Sequence, residues 1–123
     1  FTKAGIFTPS GFRVETVLFN AFYQNAGWRE KFTLRYCELL NTTLRTENLL
    51  ALFDSMTELV RPEMARNCER WKYPESAAKW EENILTLRHN ISARRKYAVE
   101  ELKNTFRVSN ARLRELLPDD DIN

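Results

Sequence analysis

Between residues 15 and 117, apolar side chains recur every three or four positions, which is the period of an α-helix. Only three glycines and four prolines interrupt the 123 residues, so few positions force a helix to end. Nothing in this pattern favours a sheet. The sequence therefore predicts an all-α fold, a compact array of about five to seven helices.

Caps and prolines predict where the helices begin and end. An N-cap side chain accepts a hydrogen bond from an amide of the first turn, and four residues are placed to do so: Asn25, Thr46, Ser76 and Ser92. Pro62 has no amide hydrogen and its ring clashes with the turn before it, so one helix ends there and another can begin. Tyr73-Pro74 breaks the pattern again. The first helix is expected over residues 15–23 and a short last one over 109–117.

The longest apolar stripe lies in the helix that follows Thr46. Its members are Leu49, Leu52, Phe53, Met56, Leu59 and Val60. We expect this helix to be the central element of the core. On that interpretation Leu52→Ala or Phe53→Ala costs about 2 to 5 kcal/mol of stability, the range for large-to-small core substitutions.

A chain of 123 residues has room for one domain and can bury a core without disulfides or metals. Glycine and proline near the start predict an irregular lead-in over residues 1–14, followed by a helical domain over 15–117. Residues 118–123 are expected to be an acidic tail, in which Pro118-Asp119-Asp120-Asp121 is solvated and frayed. Because the chain begins with Phe1 rather than Met, we expect it to be a piece of a longer protein.

The charge pattern contains no basic patch of the kind that binds a polyanionic partner. The net charge of +2 comes from 19 basic and 17 acidic residues mixed along the chain. The basic cluster Arg94-Arg95-Lys96 is followed by Glu100-Glu101 on the same general side, which predicts a salt-bridged surface. We therefore predict no nucleic-acid partner. No apolar run reaches the length that a membrane span needs, so no span is predicted.

No catalytic, cofactor-binding or metal-binding residue is predicted from the motifs. His89 is the only histidine and is expected on a solvated helix face, without a second imidazole to share a metal. Cys37 and Cys68 are expected to be buried thiols rather than a disulfide, since cysteine is among the most buried residue types. Neither has a base nearby in sequence, although a pair assembled from distant segments stays open.

The carboxylates and tryptophans have ordinary structural interpretations. Glu81-Glu82 and Glu100-Glu101 are expected on solvated helix faces. Asp119-Asp120-Asp121 could attract a divalent cation, but a terminal run without a turn-forming glycine has no preorganised geometry. At least two of the three tryptophans are expected to pack in the core, with a role as binding anchors as the alternative: Trp28, Trp71 and Trp80.

A collinear series of short motifs identifies a protein family more specifically than amino-acid composition does. It comprises Trp-Arg-Glu-Lys-Phe (28–32), Arg35-Tyr36, Leu39-Leu40-Asn41-Thr42-Thr43, Pro62-Glu63, Arg66, Glu69-Arg70-Trp71, Trp80-Glu81 and Leu87-Arg88. In order and spacing this series resembles the C-terminal part of the CotH family, atypical protein kinases of spore coats and bacterial cell surfaces. The resemblance covers residues 15–106. Arg45-Thr46 departs from the serine-proline helix start that is usual in the family.

The resemblance implies a parent protein that transfers phosphate from ATP with a divalent metal, through an upstream Asp-x-Asp motif. No aspartate precedes Trp28, so no catalytic residue can be carried over to this chain. The chain is therefore expected to be a non-catalytic C-terminal subdomain that packs against the upstream kinase-like domain, at a spore coat or cell surface. The alternative is an independent helical module that binds a protein partner or an anionic polymer.

Overall fold

The computed structural model describes residues 14–122, with side chains from Val17 onwards. Within this range it contains α1 (Val14–Gln24), α2 (Ala26–Asn41), α3 (Thr46–Val60), a 3-10 turn (Arg61–Glu63), α4 (Met64–Trp71), α5 (Ala77–Asn104) and α6 (Asn110–Leu116). No strand occurs in the described range, which confirms the predicted all-α fold. Apart from Val14, the lead-in predicted for residues 1–14 lies outside the described residues. None of the described helices is long and apolar enough to cross a membrane.

Two of the four predicted N-caps are confirmed. The Asn25 side-chain oxygen accepts a hydrogen bond from the Trp28 amide at 3.0 Å, and α2 follows directly. The Ser76 hydroxyl oxygen accepts from the Lys79 amide at 3.1 Å at the start of α5. Each cap provides a partner for an amide that the first helical turn leaves unbonded. The short last helix is also confirmed, since α6 begins after Ser109.

The other two predicted caps are wrong. Helix α3 begins at Thr46 itself, with Arg45 in the N-cap position and no side-chain cap bond. Helix α5 continues through Ser92, whose hydroxyl donates to the His89 carbonyl at 2.7 Å. A serine inside a helix can bond the carbonyl of the preceding turn in this way, so its presence does not require a new helix to start.

The predicted breaks at the two internal prolines are present. Helix α3 ends at Val60, and Pro62 lies in the one-turn 3-10 helix before α4 begins. Helix α4 ends at Trp71, where Lys72 adopts a left-handed conformation with φ of 55°. A left-handed residue at this position lets the chain leave the helix while its amide bonds the last turn. Tyr73-Pro74 follows and separates α4 from α5.

The described residues form two compact units. The first unit extends to Thr42 and resumes at Tyr97, so it contains α1, α2, the C-terminal end of α5, and α6. The second unit is Thr43–Lys96 and contains α3, the 3-10 turn, α4 and the N-terminal part of α5. This division does not follow the sequence boundaries at residues 14 and 117, and those boundaries stay a prediction.

The first unit holds nearly all of the buried apolar residues of the described range: Cys37, Leu40, Ala98, Leu102, Leu113, Leu117 and Ile122. They come from α2, the end of α5, α6 and the segment after it. Ile122 is buried and its carbonyl accepts a hydrogen bond from the Arg114 guanidinium at 3.1 Å. Asp119 and Asp121 are exposed, whereas the apolar side chain of Ile122 after them belongs to the core, which the sequence did not predict.

The second unit has a much smaller core. Within residues 43–96, all of which are described, only Cys68 and Thr57 are buried. The expectation that α3 is the central core helix is wrong, since Leu52 is exposed and Phe53 is half-buried. The apolar stripe exists, but it is covered only in part: Leu49 and Phe53 are half-buried, and its other members are exposed.

Candidate functional site

The histidine and the two cysteines have the surroundings that the sequence predicts. His89 is exposed on α5. Cys37 is buried in the first unit and Cys68 in the second, and neither forms a disulfide. Both thiols are thus held in helices as small buried side chains, which confirms the structural interpretation of these residues.

The carboxylates on the helix surfaces are engaged by basic or hydroxyl side chains. Glu81 pairs with the Arg61 guanidinium, and Glu82 accepts from Lys79 Nζ at 2.8 Å. Glu101 accepts from the Thr105 hydroxyl at 2.6 Å. Over residues 14–122 no group of three or more His, Cys, Asp or Glu side chains is arranged to hold a metal ion.

Arginines join α3 and the 3-10 turn to α5 inside the second unit. The Arg88 guanidinium donates to both oxygens of Asp54, at 2.9 and 3.1 Å. This hydrogen bond lowers the pKa of the Asp54 carboxyl below its ordinary value, with a smaller contribution from the positive charge. Arg61 bonds Glu81 and Glu58, which raises the pKa of its guanidinium, and it lies 5.3 Å from the centre of the Trp80 ring. These contacts define which side of α3 is turned toward α5.

The opposite side of α3 carries an exposed apolar surface, which we call the α3 face: Leu52, Met56, Leu59 and Val60. Their spacing of three, four, seven and eight residues places them on one side of the helix. Leu59 is 81% exposed and Leu52 is 59% exposed. Two residues on other sides of α3 contact the rest of the unit: Thr57 is buried, and Asp54 is bonded to Arg88 of α5. The α3 face is thus a candidate contact surface.

The three tryptophans are divided between packing and exposure. Trp28 stacks on Phe32 with ring centroids 5.2 Å apart, and Trp80 is half-buried beneath Arg61. Both rings pack against neighbouring side chains, but they are half-buried and do not belong to the buried core that was predicted for at least two tryptophans. Trp71 is 65% exposed, with the Arg70 guanidinium 4.9 Å from its ring centre. An exposed tryptophan beside an arginine is a combination that is common at protein interfaces.

An aromatic cavity in the first unit was not predicted from the sequence. It has a volume of about 350 Å³ and is lined by Phe19, Phe32, Tyr36, Glu101, Leu102, Thr105 and Phe106. The helical period places Phe32 and Tyr36 on one face of α2, but it contains no signal that Phe19 and Phe106 join them. Their meeting depends on packing between segments that are distant along the chain.

Comparison with known proteins gives one match. A family model described as "CotH kinase protein" matches residues 6–98 of the chain. This match spans most of the sequence and confirms the family resemblance, although it begins within the predicted lead-in and ends before residue 106. Searches of curated proteins and of solved structures gave no match.

Proposed function

The chain belongs to the CotH kinase protein family, and from this we propose that it is a non-catalytic helical subdomain that packs against an upstream phosphotransfer domain of the same protein. On this proposal the nucleotide, the divalent metal and the catalytic aspartates belong to the upstream domain. The helical part supports that domain by covering its apolar surface and holding its metal-binding loop in position.

The α3 face is the observation that carries the proposal. The second unit leaves Leu52, Met56 and Leu59 exposed while burying only Cys68 and Thr57. A contiguous exposed apolar surface on a folded protein is typical of an interaction site. Burying each of these side chains against a partner would contribute roughly 1.5 to 3 kcal/mol. An upstream domain of the same protein fits this role because a covalent link keeps it at high effective concentration.

The ion pairs of the second unit support the same interpretation. Arg88 holds Asp54 through two hydrogen bonds, and Arg61 holds Glu81 on α5. With one side of α3 bonded in this way, the α3 face is turned outward before any partner binds. A surface that is already in its binding orientation loses less conformational entropy on association.

Hydrogen exchange of the chain and of the longer protein encoded by its gene tests the contact. We expect peptides from Thr46–Val60 to exchange more slowly in the longer protein than in this chain. Leu59→Glu should remove that protection in the longer protein and leave the stability of this chain nearly unchanged. Ala51→Glu adds the same charge to another side of α3 and should preserve the protection. Equal exchange of α3 in both proteins would contradict the proposal.

A paired activity assay tests whether phosphate transfer requires the upstream domain. When ATP and Mg²⁺ or Mn²⁺ are added, we expect the longer protein to incorporate phosphate and its melting temperature to rise. We expect neither change in this chain. Phosphate incorporation by this chain alone would overturn the non-catalytic role. An inactive longer protein that contains the upstream aspartate motif would count against the kinase interpretation of the family relationship.

Exposed Trp71 supports a second candidate, an independent helical module that binds another protein. Its ring and the Arg70 guanidinium stacked on it are residue types that dominate binding energy at interfaces. On this alternative the α3 face stays exposed in the longer protein, and Trp71→Ala, rather than Leu59→Glu, weakens association with the partner at least ten-fold. Tyr73→Ala, a second exposed ring close to Trp71 in sequence, is the matched control.

A further inference from the structure

The aromatic cavity of the first unit is partly open to solvent, and it is large enough to admit a small molecule. Its volume is about 350 Å³, and α1, α2 and the end of α5 all contribute to its walls. The small sealed voids of a close-packed protein interior are seldom larger than a water molecule. Small-molecule sites, by contrast, begin at about 300 Å³. A cavity of this size is therefore in the range that a ligand occupies.

The walls of the cavity are mainly aromatic rings. Phe32 lies at the centre, stacked on Phe106 with centroids 4.7 Å apart and on Tyr36 with centroids 5.7 Å apart. Phe19 meets Phe32 edge to face at 6.3 Å. Rings held in both stacked and edge-on positions offer the two arrangements that a further aromatic ring prefers. The lining thus favours an aromatic ligand over an aliphatic chain of the same volume.

The polar groups at the cavity are already bonded to protein. The Thr105 hydroxyl donates to the Glu101 carboxylate at 2.6 Å, and the Thr105 carbonyl accepts from the Tyr23 hydroxyl. In the part of the chain that the structure describes, every buried side-chain nitrogen or oxygen has a hydrogen-bond partner. The Glu101 carboxylate repels an anion, and the aromatic walls offer a strongly polar ligand few partners for the hydration that it loses. The ligand class that fits is therefore neutral and apolar.

We propose that this cavity is a binding site for a neutral aromatic small molecule of about two fused rings. An apolar protein cavity of about 150 Å³ is known to bind benzene, and this cavity has roughly twice that volume. The site lies within the first unit and uses none of the residues of the α3 face. It is therefore independent of the proposed contact with an upstream domain.

Indole is a suitable probe because it is neutral and has two fused rings. We expect indole to cause a saturable shift of the Leu102 methyl resonances, which report from the cavity wall. Two comparison probes should bind at least ten-fold more weakly: tryptamine, which adds a positive charge to the indole ring, and 1-octanol, which is aliphatic. Equal or tighter binding of tryptamine would indicate a cation site at Glu101, and equal binding of octanol an acyl site, and either result overturns the proposal.

Cavity-filling variants locate the site. Phe19→Trp enlarges a ring of the cavity wall and should weaken indole binding at least ten-fold. Phe22→Trp makes the same exchange on the same helix, at a ring that stacks on Trp28 and does not line the cavity, and should leave binding unchanged. Tyr36→Trp fills the cavity from α2 and provides the test if Phe19→Trp does not fold. No saturable shift up to the solubility limit of indole, or equal binding by the filling and control variants, would refute the proposal.

Discussion

Single arginine side chains make many of the long-range polar contacts of this protein. Arg88 holds both oxygens of Asp54, Arg61 bonds Glu58 and Glu81, and Arg112 bonds Glu115 at 2.8 Å and Glu30 at 3.1 Å. Each of these arginines reaches a carboxylate far away in sequence. Exposed pairs of this kind contribute little free energy individually. They show which helix faces lie next to each other.

The Asp54–Arg88 pair predicts a pH dependence with a definite sign. Because the pKa of Asp54 in the folded protein lies below its ordinary value of 3.8, the pair stabilises the fold fully above that pH. Its contribution is lost as the pH falls through the lowered pKa. We expect wild type to be more stable than Asp54→Asn at pH 7, and the two to converge in acid, as measured by urea unfolding over a pH series.

Carbon NMR of the Asp54 carboxyl provides the direct check. The carboxyl should titrate below 3.8 in the wild type and move back toward 3.8 in Arg88→Gln, which removes the hydrogen-bond donor that causes the shift. A wild-type titration at or above 3.8 would show that the pair does not form in solution.

Two leucines test where the core lies. Leu113 is fully buried in the first unit, whereas Leu52 belongs to the exposed α3 face. Leu113→Ala should cost about 2 to 5 kcal/mol because it leaves a cavity in a packed core. Leu52→Ala should change the stability of this chain by no more than about 0.5 kcal/mol. Denaturant unfolding of the two variants measures both losses of stability. A larger loss for Leu52→Ala than for Leu113→Ala would place α3 in the core.

At the scale of elements, α5 is the longest helix and the one whose extent the sequence predicted least well. It runs without interruption over Ala77–Asn104 and includes Ser92, a residue of the type that often caps the start of a helix. Residues of its first part pair with α3 and the 3-10 turn, and Ala98 and Leu102 of its last part belong to the core of the first unit. One helix can serve two units because its apolar side chains recur along its whole length.

Ser76 and Ser92 predict opposite effects of the same substitution. Ser76→Ala removes a cap on the Lys79 amide and should destabilise the protein by about 1 kcal/mol. Ser92→Ala replaces a mid-helix serine by the best helix former and should stabilise it by up to about 0.5 kcal/mol. Thermal unfolding of both variants gives the signs. Destabilisation by Ser92→Ala of the size seen for Ser76→Ala would indicate that a helix starts at Ser92.

At the scale of the whole molecule, the two compact units differ in how much apolar surface they bury. The first contains a core built from α2, α5, α6 and Ile122, and the second buries only Cys68 and Thr57. Folded domains are marginally stable, and a unit with so few buried side chains has little hydrophobic free energy of its own. This difference in buried apolar surface is the physical basis for proposing that the second unit has a partner.

The distribution of charge over the whole molecule predicts weak binding to nucleic acid. Basic side chains are paired with acidic ones along the chain, as in Arg35–Glu38, Arg66–Glu63 and Lys79–Glu82. Paired cations are not available to replace counterions on phosphates, which is the main source of such affinity. Fluorescence anisotropy with DNA and RNA oligonucleotides at about 150 mM salt should give dissociation constants weaker than about 1 µM. A tighter, salt-sensitive complex would support the anionic-polymer alternative.

The amino-acid sequence by itself determined the all-α class, the caps at Asn25 and Ser76, the breaks at Pro62 and Tyr73-Pro74, and the family. Caps and proline breaks act over three or four residues, so their physics is contained in a short stretch of chain. Family motifs are likewise read residue by residue, without knowledge of what they contact.

Only the tertiary structure decided which apolar faces are buried and which aromatic rings meet. The stripe on α3 has the period of a core helix, yet the side of α3 that pairs with α5 is the one that carries Asp54. Phe19, Phe32 and Phe106 form one cavity although long segments separate them in sequence. Periodicity shows that a helix has an apolar side, but burial depends on which elements lie opposite. That choice is made by long-range contacts, which no local pattern encodes.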